Sequence, residues 1–217
     1  MSFLDILGLL ATGAGYTILV TLLCSATGIL VGLAVAILYR LGWRALNLFL
    51  DAFTYVFRGI PVLVLLFIVF FGWPGIGISV PPLVSMMLSL GLIAGAYLGE
   101  VFRGAFDSVD ANEIVAAEAM GMSRMQALLY IEIPQMLRFS VPGMINEFTT
   151  VLKYSPFAYT VGIPEVMKQA MALSAATLRG VEIYVAVGLI YFAIYKVLVT
   201  VVWALEKHYR VPGLTGH

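Results

Sequence analysis

Charge and reactive side chains are scarce in this chain, and each scarcity removes a class of function. Only 11% of its 217 residues are Asp, Glu, Lys or Arg, against 62% hydrophobic, a balance that does not keep a protein dissolved in water. The only histidines, His208 and His217, lie beyond the last long apolar run. A Ser–His hydrolase, a haem ligand pair or a histidine metal site therefore lacks its parts. Cys24 is the single cysteine, which excludes an internal disulfide and leaves a small buried hydrophobe as its role. No glycine precedes a lysine, so the phosphate loop Gly-Lys-Ser/Thr is missing and nucleotide is not bound here. The expectation is a non-catalytic chain with neither metal nor cofactor, and without nucleic acid among its partners.

What the chain does have is length in its apolar runs, several of which exceed the roughly 20 residues that cross a bilayer. The fold class expected is all-α, a polytopic membrane protein with five spans at about 14–38, 52–72, 80–101, 137–160 and 183–205. Residues 161–182 are too charged for a sixth span and suit a short helix outside the membrane. Uninterrupted runs of this kind exclude a water-soluble β-barrel. Arg40, Arg44 and Arg58 flank the first connection, Arg103, Arg124 and Arg138 the third, and Lys207 and Arg210 the tail, whereas the second connection has no basic residue. The odd connections and the C-terminus are expected in the cytoplasm and the N-terminus outside. The leading segment carries Asp5 and no basic residue, which argues against a cleaved signal peptide. Trp43, Trp73 and Trp203 fall at span ends, where indole rings favour the headgroup level.

The third connection is patterned as two short helices hinged on a glycine. Asp110 and Glu113 have capping-box spacing, Gly121 suits the left-handed residue after a helix, and Ser123 with Gln126 repeats the box. The second helix is expected to end near Ile133, since Pro134 lacks an amide. Ile114, Val115, Ala117, Ala119, Met120, Met122 and Met125 are too many apolar residues for a solvated loop. They fit a partner's groove, where methionine adapts to irregular walls; packing on lipid or on the chain's own helices is the alternative.

In the fourth span Asn146, Glu147, Thr149, Thr150, Lys153 and Ser155 are polar at membrane depth, where a charge costs about 3 kcal/mol or more unless paired or hydrated. Six residues separate Glu147 from Lys153, roughly 600 degrees of helical rotation, so each is expected to have its own neighbour. Pro156 is expected to free backbone carbonyls one turn beyond Lys153, as broken helices do around polar substrates. A structural interhelical bond is the competing role for these residues.

Several segments together resemble the polar-amino-acid permeases of ATP-binding-cassette (ABC) importers. The run Phe57-Arg58-Gly59-Ile60-Pro61-Val62-Leu63-Val64 is similar to the opening of their second span. Ala96-Tyr97, Glu100-Val101, Arg103-Gly104 and Ser108-Val109 resemble the exit from their third. Ala116-Ala117, Ala119, Gly121-Met122-Ser123, Gln126 and Ile133-Pro134-Gln135 resemble the loop by which such permeases dock on their ATPases, and Asn146, Lys153 and Leu205-Glu206-Lys207 match later positions. Val115 stands where the family has an acidic residue and Asn112-Glu113 where it has Gly-Gln. The fourth-span motif reads Lys153-Tyr154-Ser155-Pro156-Phe157, with a proline and an aromatic at two small or aliphatic positions.

The resemblance implies a single permease domain over 1–217 with a cytoplasmic coupling loop at about 104–136, in a bacterial-type inner membrane. It implies a second permease subunit, identical or homologous, two ATP-binding subunits and an extracytoplasmic solute-binding protein. ATPase coupling would fall to Ile114, Val115, Ala116, Ala117, Met120, Gly121, Met122 and Ser123, and the substrate pathway to Asn146, Glu147, Thr150, Lys153 and Ser155. An ion- or proton-coupled transporter or channel and a noncatalytic anchor subunit are the alternatives the residues leave open.

Overall fold

The computed structural model describes residues 2–209, the side chains of 202–209 excepted. Arg210 and His217 lie outside the described residues, as do the side chains of Trp203, Leu205, Glu206, Lys207 and His208 used in reading the tail and the span ends. Every regular element among the described residues is helical: α1 Phe3–Ala11, α2 Ala14–Arg40, α3 Arg44–Gly59, α4 Val62–Phe67, α5 Pro82–Met86, α6 Leu92–Asp107, α7 Ala111–Ala119, α8 Arg124–Ala127, α9 Ile133–Tyr154, α10 Val166–Thr177 and α11 Gly180–Tyr209. π-helical turns at Met87–Gly91 and Leu128–Glu132 join α5 to α6 and α8 to α9. Another, Ile68–Gly72, and a 3₁₀ turn at Trp73–Ile76 extend α4.

Three helices are long and apolar enough to cross a membrane, Ala14–Arg40, Pro82–Asp107 and Gly180–Val201. The span expected at 52–72 is not one rod: Arg44–Gly59 and Val62–Ile76 meet at a bend of 101° and count as a fourth only if taken together. The cause is local. Proline disfavours helical backbone in the residue before it, and Ile60 is extended at φ −92°, ψ 128°. The fourth expected span, α9, has the length at 22 residues but carries Arg138, Glu147 and Lys153 and falls below the other three in apolarity. Five spans are reached by adding α9 and the bent pair to the three.

Two further expectations are corrected. The second loop helix does not end near Ile133, because the wide turn Leu128–Glu132 carries it past Pro134 into α9; a π turn relaxes the ladder into which a proline ring would otherwise intrude. Glu113 does not close a capping box on Asp110. Its carboxylate accepts instead from the Gln135 side-chain amide, and Asp110 caps α7 alone by accepting from the Asn112 amide at 2.9 Å. The short helix expected within 161–182 is present as α10. Helix α1 had no counterpart in the sequence reading. It opens on a capping box in which the Asp5 amide donates to Ser2 Oγ and the Ser2 amide to Asp5 Oδ2 at 2.6 Å, and the bond from the Ser2 amide holds the Asp5 carboxyl below its ordinary range.

The chain divides into two compact units. In the one containing α1, α10 and α11, Ile6, Leu10, Val166, Ala170, Ile183, Ala186 and Val187 form the core. In the other, Thr21–Tyr154, the core gathers Ala36, Leu98, Phe102, Ala105, Phe106, Leu128 and Met136. Its helices α2 and α6 approach through glycines. A Cβ on Gly32 would stand 2.7 Å from that of Leu98, and one on Gly95 2.7 Å from the Val31 side chain. Small residues at such spacing let backbones meet in a solvent where apolar contact with lipid is as good as contact with leucine.

Candidate functional site

The loop between α6 and α9 is built as the capping residues require. The Gly121 amide donates to the Glu118 carbonyl at 2.9 Å and the Met122 amide to that of Ala117 at 3.0 Å, the paired closure that follows a left-handed residue, here Gly121 at φ +89°. Ser123 then caps α8 in a full box with Gln126. The eight expected coupling residues divide by face. Ala117 is buried, and Ile114 and Met122 are half-buried. Val115, Ala116, Met120, Gly121 and Ser123 are exposed, with Val115 at 65% and Met120 at 88% of their full areas. Tyr130 and Leu129 extend the exposed apolar surface along the π turn.

The five expected pathway residues also separate. Asn146, Thr150 and Lys153 recur at helical spacing on α9; Asn146 and Lys153 are exposed and Thr150 is half-buried. Thr149 Oγ1 and Thr150 Oγ1 donate to the Asn146 carbonyl at 2.8 and 3.0 Å, so the threonines spend their protons on their own helix. Glu147 lies on the buried side. Neither Glu147 nor Lys153 forms an ion pair within 4 Å among the described residues. Helix α9 gives way at Ser155 to the 3₁₀ stretch Ser155–Val161, where Pro156 breaks the α-helical ladder.

Ser155 belongs to a second polar cluster that the sequence did not predict. Glu165, fully buried, accepts from the Met167 and Lys168 amides at 2.8 Å each and from the Tyr191 hydroxyl at 2.6 Å. Thr17 and Ser155 are within hydrogen-bonding reach of Tyr191. Burial pushes the Glu165 carboxyl above its ordinary value, against the pull of these donors. A charged cluster in the other unit was visible only as residue types. Arg103 lies between Glu100 at 2.8 Å and Asp51 at 3.4 Å, with its guanidinium 3.7 Å from the centre of the Tyr39 ring. It opens on a cleft of about 530 Å³ that Thr54, Tyr55 and Arg58 also line.

Apolar helices of spanning length, an exposed polar stripe on α9 and a capped loop with an apolar outer face define a multi-pass membrane protein of the transporting kind. The chain belongs to the family described as binding-protein-dependent transport system inner membrane component, whose model matches residues 28–211; it is a permease subunit. The probable amino-acid ABC transporter permease protein YckA of Bacillus subtilis (strain 168) is 31% identical over 202 residues, covering 91% of this chain and 87% of that protein. The histidine/lysine/arginine/ornithine transport system permease protein HisQ of Salmonella typhimurium is 32% identical over 215 residues, 94% of each. The crystal structure of an amino acid ABC transporter with histidines superposes with a TM-score of 0.81 at 28% identity, covering 96% of this chain and 97% of that one. An inward-facing structure of the MetNI methionine ABC transporter shares the fold at a TM-score of 0.72 and 21% identity over the same shares.

Proposed function

We propose that this permease conducts a polar amino acid inward across a bacterial-type inner membrane, driven by ATP hydrolysis on two partner ATPases. An extracytoplasmic binding protein delivers the solute, and a second permease subunit completes the pathway. The observation that carries the reading is the stripe Asn146, Thr150 and Lys153, an exposed amide and an exposed cation with a half-buried hydroxyl between them on one face of α9. Lys153 suits the carboxylate every amino acid presents, and Asn146 offers an amide on the same face two turns, about 10 Å, away. The names of the relatives support an amino acid as the cargo. Glu147 and Ser155, the other two residues expected on the pathway, are both buried.

In this reading Val115, Ala116, Met120, Gly121 and Ser123 meet the ATPase groove, and Ile114, Ala117 and Met122 anchor the loop on the permease. Single-domain organisation over 1–217, a loop at about 104–136, an outside N-terminus and a cytoplasmic C-terminus complete the proposal; the basic residues Arg40, Arg44, Arg103, Arg124 and Arg138 support the orientation. Purification of the complex through a tag on this chain, with mass spectrometry of subunits and retained small molecules, tests it. ATP-binding subunits and a bound amino acid are expected. A chain that purifies alone and moves solute on a cation gradient contradicts the proposal.

A further inference from the structure

Beyond the stripe and the loop's outer face, two contacts join the loop to α2, far from it in sequence. Arg40, in the last turn of α2, donates from Nε to Glu132 Oε2 at 2.7 Å, and its Nη2 stands 2.6 Å from the same oxygen. The two residues are 92 positions apart, and the Glu132 side chain is almost wholly buried. A second tie runs beside the first, from Arg124 Nη2 at the start of α8 to the Arg40 carbonyl at 3.4 Å. The Arg40 guanidinium also lies 5.8 Å from the ring centre of buried Phe106, in the last turn of α6. The ends of α2, α6 and the loop therefore converge on one side chain.

The path of the chain explains why Glu132 points there. It closes the π turn Leu128–Glu132, which holds one residue more than an α turn; without it every later side chain would be rotated by about 100°. A carboxylate taken out of water has little reason to leave a guanidinium that compensates it, so the pair moves as one piece. We infer that the Arg40–Glu132 ion pair is the strut that carries displacement of the α7–α8 loop to the inner end of α2, and so sets how much solute moves per ATP hydrolysed. Both are positioning residues, since neither touches solute or nucleotide. The inference rests on the ATP-driven import proposed above.

The test uses the whole complex, with its ATPases and binding protein, in liposomes, and reads solute accumulated per ATP hydrolysed. The probe is the labelled amino acid that the wild-type complex accumulates from a panel of the twenty. Glu132→Gln, which keeps the shape and removes the charge, is expected to assemble and hydrolyse ATP while moving at least threefold less solute per ATP. The exchange Arg40→Glu with Glu132→Arg is expected to recover most of that loss, which a merely crowded or misfolded loop would not. An unchanged ratio in Glu132→Gln overturns the inference, as does an exchanged pair no better than the single variant. Reduced assembly with a normal ratio in the complexes that form makes the pair a folding contact and also overturns it. A wild-type complex that accumulates none of the twenty overturns the proposed function and the inference together, whereas a working wild type with unaffected variants overturns the inference alone.

Discussion

The rod Pro82–Asp107, which runs from α5 through a π turn into α6, and Gly180–Val201 of α11 are both apolar and of spanning length, yet the first is 61% buried within the protein over its apolar window and the second only 22%. The more apolar of the two is the less buried. Helix α6 meets its neighbours through Gly95 and Gly99, where backbones approach closely, and buries Ala94, Ala96 and Phe102. Helix α11 presents Val185, Leu189, Phe192 and Val197 outward. In a bilayer a leucine gains little by leaving lipid for protein, so close packing of small residues marks the interior and bulk apolarity marks the lipid or partner face. The stripe on α9 is a third kind of surface, exposed but polar, and fits neither lipid nor core.

The contrast is broken most severely at the seam. Gly95→Leu would drive a side chain into Val31, an overpacking cost of about 3 kcal/mol or more, and is expected to abolish the monodisperse complex on size-exclusion chromatography. Normal yield and elution would mean that α2 and α6 separate without penalty. On the polar surface Lys153→Met removes the cation and keeps the length. It is expected to lower the uptake rate about tenfold, roughly 1.4 kcal/mol, in complexes that assemble normally; unchanged rate and substrate preference would make Lys153 a structural residue. At the loop, Gly121→Val has open space around it but must hold φ near +89°, a strain of about 2 kcal/mol. Weaker ATPase co-purification or several-fold less uptake per ATP is expected, and normal values for both would remove the hinge from coupling. The smallest effect belongs to α11. Leu189→Ala, half-exposed, is expected to shift stability by no more than about 0.5 kcal/mol in thermal unfolding of the solubilised complex. A shift as large as at the seam would place a partner helix over that face.

Much of this architecture is legible in residue order because its causes are local. Capping by Asp110 and Ser123, the left-handed Gly121, burial of Cys24 and the change of helix at Pro156 follow from chemistry within one or two turns. The misreadings have a common origin in pairings or geometry beyond that range. Composition averaged over 52–72 conceals the 101° bend, although Pro61, which causes it, is in view. A π turn has no signature of its own, and Pro134 looked like a stop. Glu113 found Gln135 in place of Asp110, and Glu132 of the Arg40 pair and Asp51 beside Arg103 lie 92 and 52 residues from those arginines, distances that periodicity does not encode. At the site, residue types pointed to α9, but only the folded helix separates Asn146 and Lys153 on the outside from Glu147 within.

In the function proposed above, this chain is a conduit for solute and the ATP is hydrolysed on its partner subunits. Proteoliposomes holding the permease with its ATPases, loaded internally with ATP and given external binding protein and a panel of labelled amino acids, test it directly. Accumulation of at least one polar amino acid against its gradient is predicted, lost when ATP is replaced by a non-hydrolysable analogue and unaffected when ion gradients are collapsed. Accumulation that persists without hydrolysable ATP, or that disappears with the ion gradient, would contradict it.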